Sequence, residues 1–388
     1  MAAHPIPAGA PSAPPSPNLP TGRTRLRDLG LCIGTLPTGA LNSITDVAGV
    51  AVGQVTLLAD TPHVSRTGVT AIIPHQRPDG RLWQHAVFAG FARYNGFGEV
   101  AGTHWIAETG LLASPIVLTS AFAVGAARDA LLALPFAQGV DDRWHQPCVA
   151  ETYDGILHDG LNAPVRREHV QAALDAARGG PVEEGAVGGG TGMMSFELKS
   201  GIGSSSRQVS CGGERYTVGV LVQSNFGNRS HLTIDGVPVG RQLPYALVDS
   251  PQRRDGAPGP DTQGSVVVVV ATDAPLLPPQ LNRLAHRASI GLARVGGMGN
   301  NRSGDFILAF STANVLPFSQ HGVTGGLRML GPEDMNPLAP AAAEATEEAI
   351  VNALTCARTT SGVGGRTVHE LPLPQLQAIM RAAGRAVA

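Results

Sequence analysis

Five consecutive valines occupy positions 266–270. Branching at Cβ stiffens such side chains and favours extended backbone. The run is far shorter than the about 20 residues needed to cross a bilayer. It therefore predicts a strand buried on both faces, within a sheet that must be covered on both sides. The stretch ahead of it, VDSPQRRDGAPGPDTQG (248–264), holds almost nothing that can be buried. It predicts an exposed, mobile loop. A mobile glycine-ended loop thus feeds a rigid strand headed by Ser265.

Other segments supply the covering layers. ITDVAGVAVGQVTLL, within 43–58, alternates apolar and small residues and predicts paired strands. Further strands are expected at 67–74, 85–92, 216–225 and 305–312. Helical spacing runs through 120–135 and 170–179. The segment 278–296 opens on prolines and carries the stripe Leu281, Leu284, Ala285, Ala288, Leu292 and Val295. Helices near 340–357, with Ile350, Val351, Leu354 and Ala357 on one face, and 374–387 close the chain. Alternating strands and helices suggest sheets layered together and covered by helices. At 43 % hydrophobic and 15 % charged, 388 residues can bury a sizeable core.

The same sequence disfavours several functions. A formal charge of -2 offers no basic excess for a phosphate backbone, so no nucleic acid is expected. No membrane span is expected either. The 12 histidines form neither HExxH nor a close pair, so neither metal nor cofactor is expected. There is no GxSxG elbow. Gly188, Gly189, Gly190 and Gly192 lack the Lys-Ser/Thr of a phosphate loop and read as close backbone packing beside a site. Cys32, Cys148, Cys211 and Cys356 have no metal-finger spacing and read as free thiols in a reducing compartment. Residues 1–22, rich in Pro, Ala and Ser, lack a charged start and an apolar core, so they read as a disordered arm and not a secretory signal. A cytoplasmic protein with one catalytic domain over 23–388 is expected.

Chemistry concentrates at the Gly264–Ser265 junction. The Ser265 hydroxyl could attack the Gly264 carbonyl, giving an ester that water opens. Glycine tolerates the crowded backbone this demands. The cut would leave Ser265 with a free α-amine of pKa about 7.7–8.0, able to take the proton of its own hydroxyl without a histidine. Taken alone, Gly-Ser before a strand is an ordinary turn. Its neighbours must decide.

VAETYDG (149–155), GAVGGGTGMMSFELKSGIGSSSR (185–207), VGVLVQSNFG (218–227), GSVVVVVATDAPL (264–276) and GNNRSGDFILAFSTAN (299–314) together resemble the DmpA/BapA family. Its members are L-aminopeptidase/D-amino-acid esterase-amidases and β-peptidyl aminopeptidases. The opening RDLGLCIGTLPTGALNSITDVAGVAVGQVTL (27–57) resembles the family's start, and the likeness runs in order from about Arg23 to about Leu373. The resemblance implies an αββα sandwich, layered like the Ntn hydrolases but connected differently. It implies self-cleavage into an α chain 1–264 and a β chain 265–388, and a homo-oligomer of such αβ units.

Site roles are implied position by position. Ser265 matches the nucleophile. Ser303 and Asp305 match a serine and an acid that contact it; the β-peptidyl members carry Glu where this chain has Asp305. Asn225 matches the oxyanion asparagine, Tyr153 a tyrosine whose hydroxyl lines the site, and Glu151 the acid that holds the substrate's amino group. Without the resemblance, Ser303 and Asp305 read as a capped turn, Asn225 as a strand-end turn with Gly227, Tyr153 as structural and Glu151 as a surface charge. The implied activity is removal of N-terminal residues from short peptides, amides or esters. Two alternatives stay open. One is a related amidase or acyltransferase, although nylon-oligomer hydrolases use threonine at the nucleophile. The other is a non-catalytic binding protein on the same scaffold.

Overall fold

The computed structural model describes residues 23–76, 84–137, 145–253, 264–317 and 324–385. The expected arm at 1–22 and most of the expected loop, 254–263, lie outside the described residues. The strands of the first half are β1 (Ala51–Ala59), β2 (Ser65–Ile73), β3 (His85–Gly96), β4 (Val100–Ala101), β5 (Leu111–Leu112), β6 (Ile116–Ser120) and β7 (Cys148–Thr152). The hairpin β8 (Met194–Ser195) and β9 (Leu198–Lys199) follows, then β10 (Ile202–Cys211), β11 (Glu214–Asn225), β12 (Gly264–Thr272) and β13 (Ser303–Pro317). Helices α1 (Thr103–Thr109), α2 (Val124–Ala137) and α3 (Arg167–Asp175) precede the valine strand; α4 (Pro278–Val295), α5 (Leu338–Thr355) and α6 (Leu373–Ala382) follow it.

Two large sheets form, ordered β1-β2-β6-β7-β4 and β10-β11-β12-β13-β3-β5. Three apolar clusters show how they stack. Along β12, Val266, Val268 and Val270 join Leu281, Leu284, Ala288 and Leu292 of α4 and Ile350 and Leu354 of α5. The alternate residues Val267, Val269 and Ala271 meet Ile72, Ile116, Leu118 and Ala150 of the other sheet. That sheet's outward Val69, Ala71, Val117 and Val149 pack on Leu131 of α2 and Val170 and Ala173 of α3. The result is the expected αββα sandwich. All five valines are buried, each worth about 1.5–3 kcal/mol relative to exposure as an upper figure.

The α4 stripe is buried along its whole length. The segment 43–58 departs from expectation. It gives a single-turn 3-10 helix at Ile44–Asp46 and one strand, β1, whose partner is β2 and not a neighbour within the segment. Asp46 carboxylate oxygens accept from the Leu41 and Ser43 amides, which favours a capped turn there. The glycine run forms a buried 3-10 turn, Gly188–Gly190. A methyl group on Gly189 would sit 2.1 Å from Gln223 Oε1 and 2.6 Å from the Leu118 carbonyl oxygen, so the chain passes between the two sheets only without side chains there.

Candidate active site

Three strand ends converge. Asn225 ends β11, Gly264 and Ser265 open β12, and Ser303 opens β13. Antiparallel pairing sets Asn225 opposite Ser265. Parallel pairing sets Ser303 opposite Gly264 and Gly304 opposite Ser265. From the facing sheet, β7 carries Glu151 near its end and delivers Tyr153 just beyond it. Residues as much as 154 positions apart are thus gathered by register within one sheet and by the stacking of the other against it.

The Ser265 hydroxyl is buried and held from two sides. Its Oγ accepts the Tyr153 N–H at 3.1 Å and the Asn225 Nδ2–H at 3.1 Å. The orientation of that amide is fixed by its other end: Asn225 Oδ1 accepts the Met194 N–H at 2.9 Å, and Nδ2 also donates to the Tyr153 carbonyl at 2.8 Å. The side chain of Asn225 therefore presents a donor, not an acceptor, to the serine. Tyr153 lines the same cavity as Ser265. Its main chain meets Ser265, while its ring is half exposed and packs 5.7 Å from that of Phe122.

Ser303 Oγ donates to Asp305 Oδ1 at 2.5 Å. The pair lies against the junction: a methyl group on Gly264 would be 3.0 Å from Ser303 Oγ and 3.2 Å from the Phe226 Cα, so glycine keeps this approach open. Burial lifts the Asp305 carboxyl to about 6, against the opposing hydrogen bond from Ser303. A register shift in the β13–β3 ladder falls between Asp305 and Phe306, and such irregularities re-aim side chains beside sites.

On the other side of Ser265, Glu151 accepts the Glu99 N–H at 3.0 Å through Oε1. Burial raises its carboxyl to about 7; the Glu99 hydrogen bond opposes this, and the nearby charges of Asp154 and Glu99 add to it. Glu151, Ser265, Gly264, Tyr153 and Phe97 line one cavity of about 260 Å³. That is below the 300–1,000 Å³ typical of drug-sized ligands, so the space suits a short substrate. Among the described residues, no group of three or more His, Cys, Asp or Glu is placed to hold a metal.

Some supporting groups escaped the sequence reading. The Met194 amide that orients Asn225 follows directly from the glycine run, which signalled close packing but not this role. Lys199 is fully buried, donates to the Met193 and Ser200 carbonyls at 2.7 Å each, and is lowered to about 7 by burial. It braces the segment that carries the Met194 amide. A lysine within a glycine-rich motif was its only signal.

The pattern that defines peptidase family S58 matches residues 42–368. A beta-peptidyl aminopeptidase of Sphingosinicella microcystinivorans is 42 % identical over 368 residues, covering 92 % of this chain and 92 % of that protein. One from Sphingosinicella xenopeptidilytica is also 42 % identical, over 375 residues, covering 92 % of this chain and 91 % of that protein. Among solved structures, a Burkholderia beta-aminopeptidase superposes with a TM-score of 0.85 at 44 % identity, over 93 % of this chain and 99 % of that one. The L-aminopeptidase D-Ala-esterase/amidase of Ochrobactrum anthropi, described as a variant of the Ntn hydrolase fold, also gives 0.85, at 42 % identity over 94 % of this chain and 99 % of that one.

Proposed function

Since this chain belongs to peptidase family S58, we propose that it is a self-processing serine aminopeptidase with Ser265 as nucleophile. In the precursor, Ser265 Oγ attacks the Gly264 carbonyl carbon. The C–N bond breaks, the hydroxyl proton passes to the Ser265 nitrogen, and the ester left behind is hydrolysed to a Gly264 carboxylate and a free hydroxyl. Ser303 and Asp305, set against Gly264, relay the proton. Chains 1–264 and 265–388 result.

The new α-amine then serves as base for the same hydroxyl. A substrate's ammonium rests on the Glu151 carboxylate, which restricts attack to the first amide. The Asn225 Nδ2–H and the Tyr153 N–H both reach the attacking oxygen and so lie within reach of the oxyanion that forms two bonds away, on the same carbon. The leaving amine takes the proton, and water releases the acyl residue from Ser265. The observation that carries this reading is the double donation onto Ser265 Oγ in the cavity that also holds Glu151.

Substrates are short peptides, amino-acid amides or esters, β-amino acids among them, as the names of the relatives suggest. We extend the reading to a cytoplasmic homo-oligomer of αβ units. The four cysteines are unpaired, which suits a reducing compartment. Among the described residues no helix is long and apolar enough to cross a membrane. The test is direct. Purified protein should run as two fragments on a denaturing gel, with the smaller beginning Ser-Val-Val-Val-Val by Edman sequencing. Ser265→Ala should leave one 40.0 kDa chain with turnover down at least about 10⁴-fold. A wild-type protein that stays whole would overturn the reading.

A further inference from the structure

The cavity at Ser265 is lined by one acidic and one basic residue, Glu151 and Arg302. Glu151 is buried; Arg302 is exposed and stands at the rim. Among the described residues the Arg302 guanidinium has neither an ion pair nor a hydrogen-bond partner. Its main chain, by contrast, is fixed: the Arg302 carbonyl accepts the Gly264 N–H at 3.3 Å. An unengaged cation is thus tethered one residue from the scissile junction.

The spacing is informative. A methyl group on Gly98 would lie 2.8 Å from Glu151 Oε1 and 3.2 Å from the Gly304 Cα, which places the carboxylate close to Gly304. Arg302 precedes Gly304 by two residues, at most about 7 Å of chain, and its long side chain adds adjustable reach. An extended dipeptide covers about the same 7 Å between its two ends. A substrate with its ammonium on Glu151 therefore brings a free C-terminal carboxylate, if it has only one further residue, to the region Arg302 can reach. A guanidinium fork matches a carboxylate with two parallel hydrogen bonds.

We propose that Arg302 receives the C-terminal carboxylate of the leaving residue, so that zwitterionic dipeptides are favoured over dipeptide amides. The inference deepens the aminopeptidase reading and rests on it. Two opposite charges lining one small cavity select for length as well as for sign. A longer peptide carries its carboxylate past the rim, and an amide or aryl amide offers none. Because the guanidinium is solvent-exposed, the preference is modest and falls with salt.

The experiment uses the mature, self-cleaved enzyme and two substrates, L-Ala-L-Ala and L-Ala-L-Ala-amide, or their β-alanyl counterparts if those turn over faster. The quantity read is the ratio of kcat/KM for free acid over amide. Wild type should favour the acid by about threefold to tenfold at low salt. Arg302→Gln should bring that ratio to about one, Arg302→Lys should retain part of it, and Arg302→Glu should push it below one. A wild-type ratio of one, or a ratio unchanged in Arg302→Gln, overturns the proposal and leaves the aminopeptidase reading standing. A gel showing the Gly264–Ser265 cut in each variant certifies folding. Failure of the wild type to cut itself and to turn over either substrate would instead sink the aminopeptidase reading, and this proposal with it.

Discussion

Buried carboxylates gather at two places along the six-stranded sheet, and their surroundings differ. Towards one end, Arg207 of β10 is fully buried and pairs with Glu344 at 3.1 Å and Glu348 at 2.6 Å, both on α5. Arg27 adds a second contact to Glu348 at 2.8 Å. Burial pushes the Glu348 carboxyl up, but the Arg27 hydrogen bond, the Arg207 charge and the Asn42 amide together hold it below its ordinary value. Towards the other end, Glu151 and Asp305 are also buried, with no cation against them among the described residues, and they rise to about 7 and about 6. Glu184 falls between: one cation, Arg25 at 2.6 Å, does not offset its full burial, and it stays at about 7. The lesson is that burial alone does not assign a role. Cations convert buried acids into fixed struts, and their absence leaves acids that titrate near neutrality and can answer to a ligand.

The largest expected effect lies at the paired cluster. Glu348→Ala removes one of the two carboxylates on buried Arg207 and the carboxylate paired with Arg27, and should cost about 3–5 kcal/mol of stability. Denaturant titration in the Ser265→Ala background, where the chain stays whole, measures it. A shift under 1 kcal/mol would erase the distinction between the clusters.

Next is Glu151→Gln, which should lower kcat/KM about 30-fold by weakening the grip on the ammonium. It should not reduce stability. With its folded pKa raised, Glu151 lowers stability as pH climbs from the ordinary carboxylate range through about 7. Removing the charge should hold or raise the melting temperature at pH 8. A melting point lowered as much as in Glu348→Ala would make Glu151 another strut.

The smallest effect is on the pH profile. In the proposed role Glu151 must be ionised to bind an ammonium, so it should add about tenfold per unit to the fall in kcat/KM once pH drops below about 7, on top of the fall set by the Ser265 α-amine. Glu151→Gln should remove one unit of slope from that limb. A profile identical to wild type would detach Glu151 from substrate binding.

The sequence made one half of this contrast visible. The valine run and the α4 stripe foretold the sheet interior and its cover, because burial on regular elements leaves a local period. Asn225, Ser265, Ser303 and Asp305 stood out through the family resemblance, since each by itself reads as an ordinary turn residue. The α5 segment misled: Ile350, Val351 and Leu354 suggested a one-sided stripe, yet nearly every residue of the helix is buried, including Glu344, Glu347 and Glu348. The burial of the glutamates left no local mark, because the cations of two of them stand far off in sequence, with Arg207 137 residues from Glu344 and Arg27 321 residues from Glu348. The Tyr153 N–H and the Met194 N–H were equally invisible, since every residue but proline carries that group and only tertiary placement singles one out.

The Arg207–Glu344–Glu348 contacts acquire a further meaning once Ser265 has a free amine. Arg27 and Arg207 then belong to one polypeptide and the two glutamates to another, while β12 still lies zipped between β11 and β13. Separating the products would pull β12 from β11 and β13 from β3, and expose uncompensated ions at the same time. The nicked molecule should therefore migrate as a single particle on gel filtration in mild urea, and exchange no fragments with an isotopically labelled copy.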